Sequence, residues 1–181
     1  MFTVDPALAL IVRLLTACLL ATAAGAKLIA LEPFVGVVHN YRLLPTPLTR
    51  PVAYLIPPLE LLIATTIMVL FSSVIPLAGA ATLLLGFAVA MGINLMRGHA
   101  EIDCGCFIGF VRQRLSWVLV MRNLLLAAAL LTIASASAAN RLLVWFDVLT
   151  IAAGCASLLL VWAIAGRLFG IAPLTSLPDA G

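Results

Sequence analysis

Residues 57–96 read PPLELLIATTIMVLFSSVIPLAGAATLLLGFAVAMGINLM, a stretch whose single charged side chain is Glu60. A helix rises 1.5 Å per residue, so about 20 apolar residues cross the ~30 Å hydrocarbon core of a bilayer. The stretch is therefore long enough for two spans, 57–75 and 76–96. Pro57 suits the first turn of a helix, where a missing N–H costs nothing, and Pro76 falls where one span stops and the next begins. The connection around residues 72–76 is tight, which predicts an antiparallel helical hairpin.

Working outward, three more apolar runs reach spanning length: residues 7–31, 117–139 and 148–169. The first imitates a signal peptide, with Ala24-Gly25-Ala26 resembling a small-residue cleavage site. Arg13, however, interrupts the apolar stretch instead of preceding it, and the run is long enough to span, so it reads as an uncleaved helix. Ser116 is placed to cap the 117–139 helix, and Trp117 to sit at the membrane interface. The fold class is all-α: a polytopic membrane protein with a four-helix transmembrane bundle and a fifth, C-terminal transmembrane helix. Residues 1–170 form one domain, and 171–181 a tail.

Composition agrees. Of 181 residues, 65% are hydrophobic and 9% charged, too apolar for a water-soluble core of this size. The formal net charge of +3 comes from ten Lys and Arg scattered near helix ends, with no basic tract. Nucleic acid is excluded as a partner, and membrane lipid is the expected surroundings.

Residues 32–56 are too polar to span and too apolar for a free loop. Their prolines, Pro33, Pro45, Pro47 and Pro51, argue against a continuous helix, while His39, Tyr41, Arg42 and Arg50 suit the headgroup zone. The segment is expected along the interface, either as a stiff linker or as a lid over the bundle. Because each span crosses once, this segment and the loop after residue 96 share one face of the membrane. The connections near residues 72–76 and 140–147 share the other.

Polar residues inside the spans favour the first, elaborate face. Lys27 lies near the end of its helix, Glu60 in the first turn of the next, Asn94 in a last turn, and Arg122 and Asn123 early in the fourth span. Ionisable groups at such depth are costly unless they pair or line a cavity, so Lys27 and Glu60 are candidates to pair across the first hairpin. The bland alternative is that Lys27 and Arg122 snorkel to the surface and Asn94 bonds between helices. Arg13, near the opposite face, is a candidate partner for Asp147.

The loop on the elaborate face contains Asp103-Cys104-Gly105-Cys106-Phe107. Cys18 and Cys155 stand singly in apolar runs and read as small hydrophobes. Cys104 and Cys106 share a polar loop, where three chemistries compete. A C-x-C disulfide closes a small, strained ring, and such disulfides exchange readily; Gly105 supplies the backbone freedom. Arg112 and Arg114 would favour a thiolate and Asp103 would oppose it. Zinc would need His99 with both cysteines and a fourth ligand that the sequence does not offer. A permanent disulfide would only tighten the loop.

At Asp103-Cys104-Gly105-Cys106-Phe107, then Leu115-Ser116-Trp117 and Arg122-Asn123, the chain resembles the MauE family of methylamine utilisation proteins, within the broader DoxX-like membrane proteins. The resemblance extends through Tyr41-Arg42-Leu43-Leu44-Pro45 and Pro57-Pro58-Leu59-Glu60 and covers most of residues 7–140. Ile108 separates Phe107 from Gly109, where the family pattern runs directly from Phe to Gly. The resemblance implies an inner-membrane accessory protein that helps mature the small subunit of periplasmic methylamine dehydrogenase. It would act in disulfide formation, processing or transport beside a thioredoxin-like MauD-type partner. Cys104 and Cys106 would then be the exchange pair, supported by Asp103, Lys27, Glu60, Asn94, Arg122 and Asn123; no action on methylamine itself is expected. Two other roles stay open: a non-catalytic scaffold or transport component, and a DoxX-like redox subunit whose polar cluster holds a quinone as cofactor. Lys and Arg are more frequent on the elaborate face, which by the positive-inside rule would be cytoplasmic, whereas a disulfide relay for secreted clients needs the periplasm. The compartment's chemistry favours the periplasm.

Overall fold

The computed structural model describes residues 3–70, 73–99, 101–104, 114–138 and 145–170. Cys106, Arg112, the 171–181 tail and most of the 140–147 connection lie outside the described residues. Among those described, the chain is almost wholly helical: α1 (Pro6–Ile29), α2 (Leu31–Asn40), α3 (Thr46–Val69), α4 (Ile75–Met96), α5 (Trp117–Ser135) and α6 (Trp145–Gly170). A short parallel pair, β1 (Thr3–Val4) with β2 (Ser137–Ala138), ties the start of the chain to the end of α5. The helices α1, α3, α4 and α5 are each long and apolar enough to cross a membrane. The chain is a multi-pass membrane protein, as the apolar runs predict.

Local chemistry accounts for several boundaries. The Asp5 carboxylate accepts a hydrogen bond of 2.8 Å from the Ala7 N–H, and Pro6 occupies the first turn of α1. Pro76 opens α4. Ser116 holds the N-cap position of α5 with extended backbone, although its side chain makes no capping bond.

The second span begins earlier than expected. Residues 46–56 continue directly into it, so Pro51, Pro57 and Pro58 all lie inside α3 and Pro57 is not a first-turn residue. Each of these prolines removes one hydrogen bond to a carbonyl four residues back. Such losses are tolerated in membrane helices, where neighbouring groups satisfy the freed carbonyls. Glu60 consequently sits well inside α3, away from the helix N-terminus. The break between α2 and α3 falls instead at residues 41–45, where Arg42 takes φ 49°, a left-handed conformation uncommon for a side chain of its size.

The main helix pairs are α1 with α3 and α4 with α5; α6 lies against α1 and α2 against α3. The core where the spans meet is rich in alanine: Ala17, Ala64, Ala80, Ala81 and Ala127 join Leu20, Ile67, Leu77, Leu84 and Leu130. Small residues let membrane helices approach closely, which matters because lipid offers no hydrophobic drive for helix association. At the α1–α6 contact, Ile11 Cδ1 would lie 3.2 Å from a Cβ built on Gly154. Large apolar residues such as Leu55, Leu62, Val89 and Leu125 point outward, as a lipid-facing surface requires. The hairpin of α3 and α4 packs more loosely than its short connection suggests, and a cavity lies between the two helices beneath α2.

Candidate functional site

Lys27, in the last turn of α1, donates to Glu60 Oε1 on α3, and both residues are almost wholly buried. The ammonium also faces two aromatic rings, 5.3 Å from the Phe34 centroid and 5.0 Å from that of Phe87. Two charges withdrawn from water are tolerable only with such close partners; ring quadrupoles add roughly 0.5–2 kcal/mol each. The pair and the rings thus join α1, α2, α3 and α4 at one point.

Behind this pair lies a small cavity of about 40 Å³, bordered by Thr16, Lys27, Glu60, Arg122 and Asn123. It is large enough for a water molecule. Thr16 Oγ1 and Asn123 Nδ2 are buried and have no hydrogen-bond partner among the described residues. The fold therefore gathers Lys27, Glu60, Arg122 and Asn123, as their shared depth suggested. Asn94 does not line this cavity: it is fully buried in α4, and its Nδ2 donates 3.0 Å to the Ala90 carbonyl of its own helix.

A second cavity, of about 630 Å³, lies between α2, α3 and α4. Phe34, Val37, Val38 and Tyr41, at helical spacing, turn one face of α2 over it, while Glu32, His39 and Asn40 face outward. Of the 32–56 segment, α2 thus covers the cavity, while residues 46–56 belong to α3. Val52, Ile56, Leu59 and Ile63 form the α3 wall. On α4 the wall includes Gly79, Leu83, Gly86, Phe87, Ala90 and Met91. A Cβ added at Gly86 would meet nothing within 4 Å, so this glycine faces open space. Lys27 contributes to this cavity as well as to the small one.

Cys104 also lines the large cavity. It is buried in a cluster with Ala88, Met91, Leu115, Leu119 and Val120, against which Tyr41 and Phe87 pack. The Tyr41 hydroxyl donates 3.1 Å to the Cys104 carbonyl, fastening the lid helix to the cysteine segment. Asp103 forms an antiparallel bridge with Arg114, and the Leu115 N–H donates 3.0 Å to the Ile102 carbonyl, so the base of the loop is closed. An exposed ion pair of 3.4 Å between Arg114 and Glu101 adds little. Cys106 lies outside the described residues. Among those described, no three His, Cys, Asp or Glu side chains gather around a common point.

The large cavity has no counterpart in the sequence reading. Its traces were the 34/37/38/41 spacing of α2 and the glycines at 79 and 86, spaced to lie on one face of α4.

Residues 5–136 match a family described as Methylamine utilisation protein MauE. A Methylamine utilization protein MauE of Paracoccus denitrificans is 42% identical over 134 residues, covering 74% of this chain and 72% of its own. One from Methylorubrum extorquens is 42% identical over 125 residues, 69% of this chain and 67% of its own. That of Methylophilus methylotrophus is 40% identical over 136 residues, 72% of this chain and 70% of its own. The matched residues take in α1 to α5 and the cysteine loop; α6 lies beyond the family match. No solved structure matches.

Proposed function

From the premise that this chain belongs to the MauE family of methylamine utilisation proteins, we propose that it is an inner-membrane maturation factor for the methylamine dehydrogenase small subunit. Family membership implies a part in methylamine utilisation. The finer role is thiol–disulfide exchange through Cys104 and Cys106 with a thioredoxin-like, MauD-type partner. Cys104 carries this reading. This cysteine sits in a buried cluster yet also borders the large cavity, and the Tyr41 hydroxyl holds its segment by the Cys104 carbonyl. The loop that begins at Cys104 is closed at its base by the Asp103–Arg114 bridge.

Maturing a periplasmic client places the cysteine loop and α2 on the periplasmic side, where disulfides persist. Attack by a thiolate on a disulfide sulfur passes through a mixed disulfide. One sulfur of that mixed disulfide would be Cys104 or Cys106, the other a cysteine of the client or of the MauD-type partner, and the second thiolate of the pair would release it as a thiol.

The test replaces Cys104 and Cys106 singly by Ser in cells that depend on methylamine dehydrogenase. Loss of disulfide-complete small subunit, with the variant proteins still in the membrane, is the expected outcome. Full maturation by both variants overturns the exchange role and leaves a scaffold for client and partner.

A further inference from the structure

We propose that the cavity between α2, α3 and α4 holds one acyl chain of an anionic phospholipid, whose phosphate sits outside the cavity on Arg42 and Arg97. The site is formed by described residues alone and is independent of the exchange role of Cys104.

Size and shape suit a hydrocarbon chain and exclude a helix of another protein. The cavity measures about 630 Å³, whereas a helix with its side chains is 10–12 Å across and fills more than about 1,000 Å³ over ~16 Å of its length. Ile56, Leu59 and Ile63 on α3 and Gly79, Gly86 and Ala90 on α4 give it two apolar walls along the spanning direction. A Cβ at Gly86 would meet nothing within 4 Å, so the middle of the α4 wall faces open space. The solvent around a membrane-spanning chain is lipid, and an apolar space at this depth fills with hydrocarbon.

Charge places the head group. Lys27 is the one Lys, Arg, His, Asp or Glu among the lining residues, and Glu60 already neutralises it, so a phosphate gains nothing inside the cavity. Arg97 caps α4 seven residues after Ala90, eleven after Gly86 and eighteen after Gly79, spacings that keep all four on one helix face. Helical side chains lean toward the N-terminal turn, which carries that of Arg97 back toward Ala90 and the cavity. From Arg97 down to Gly86 is about 16 Å, close to half the ~30 Å hydrocarbon core and so the depth that the chains of one leaflet reach.

Arg42 is the second cation. It stands exposed between Tyr41 and Leu43, both on the cavity wall, and its φ of 49° is left-handed. Backbone strain of this kind persists where the surroundings over-determine it, and it gathers at ligand clamps. On the same face of the membrane, Arg50 and Arg114 are taken up by Glu32 and Glu101 at 3.5 and 3.4 Å. Arg42 and Arg97 make no ion pair among the described residues. Two such cations at the end of an apolar cavity complement a lipid whose head group carries net negative charge.

The experiment titrates the full-length protein in mild detergent with phosphatidylglycerol and with phosphatidylcholine of the same palmitoyl and oleoyl chains, and counts bound lipid by native mass spectrometry. Wild type is compared with Arg42→Gln, Arg97→Gln, the double variant, Gly86→Leu and, as a control on the same face, Arg50→Gln; gel filtration confirms that each is folded. The expected result is one tight phosphatidylglycerol, bound about tenfold or more above phosphatidylcholine, with each of Arg42 and Arg97 contributing about fivefold and Arg50 nothing. Gly86→Leu, which fills the chain's path, should weaken both lipids by about tenfold or more. The arginine variants keep the test decisive if Gly86→Leu fails to fold. Equal affinity for the two lipids overturns the proposal, as does undiminished binding by the double arginine variant or by folded Gly86→Leu. Inorganic phosphate that protects the protein from heat as well as phosphatidylglycerol does would mark a phosphate site without a chain, and a bound polypeptide in place of lipid would mark a protein interface; either result overturns it too.

Discussion

The Lys27 ammonium on α1 donates to Glu60 on α3, and the two side chains keep only 3% and 1% of their surface exposed. Residues 33 apart in sequence thus meet in the buried interior. Removing one partner of such a pair strands a buried charge. Lys27→Met should destabilise the protein by about 3–5 kcal/mol, whereas Lys27→Met with Glu60→Met should recover most of the loss. Reversible unfolding in mixed micelles measures both; an equal loss in single and double variants would show that the pair does not act as a unit.

Tyr41 provides a second check, on the lid. Its hydroxyl bonds the Cys104 carbonyl, so Tyr41→Phe should cost about 0.5–1.5 kcal/mol locally while leaving the ring packed. Alkylation of Cys104 by a maleimide, after reduction and with Cys18, Cys106 and Cys155 replaced by Ala, should be several-fold faster in Tyr41→Phe. An unchanged rate would mean that the bond does not hold the lid against the cysteine segment.

Thr16 tests the small polar cavity. Its hydroxyl is buried without a hydrogen-bond partner among the described residues, and valine has nearly the same shape. Thr16→Val should therefore be neutral or stabilising, by up to about 1 kcal/mol. A clear drop in melting temperature would instead indicate that a bound water uses this hydroxyl.

Gly154 tests the docking of α6. A Cβ there would already approach Ile11 Cδ1 to 3.2 Å, so Gly154→Ala should be accommodated by a small shift of that side chain. Gly154→Leu should overpack the contact and cost about 1–3 kcal/mol. Limited proteolysis reads the outcome: faster cleavage at the ends of α6 in Gly154→Leu alone is expected.

Much of this was legible in the chain itself. The bounds of α4 and the start of α5 follow from apolar length, Pro76 and the Ser116 position, because in lipid only a helix can satisfy its backbone over such a run; α5 stops at Ser135, short of the expected residue 139. The Lys27–Glu60 pairing was also legible, since two opposite charges at similar depth in neighbouring spans have few other resolutions. The start of α3 was not. Pro51 read as a helix break and Pro57 as a helix start by rules drawn from water, where a freed carbonyl is solvated at the helix's expense. Asn94 shared the depth of the polar cluster but turned to Ala90 of its own helix, a choice of side-chain direction that depth does not fix.

The sequence by itself determined that the chain crosses the membrane several times, which residues share a face, and that Lys27, Glu60 and the cysteine segment lie toward one side. Those properties follow from hydrocarbon thickness and from parity, which depend on residue type and spacing alone. Only the tertiary structure decided that α3 and α4 stand apart, that α2 turns Phe34 and Tyr41 over the gap, and that Cys104 borders it. Lipid is as apolar as leucine, so hydrophobicity ranks no helix pairing over another; small residues, the Lys27–Glu60 pair and the Tyr41 hydrogen bond settle which helices touch.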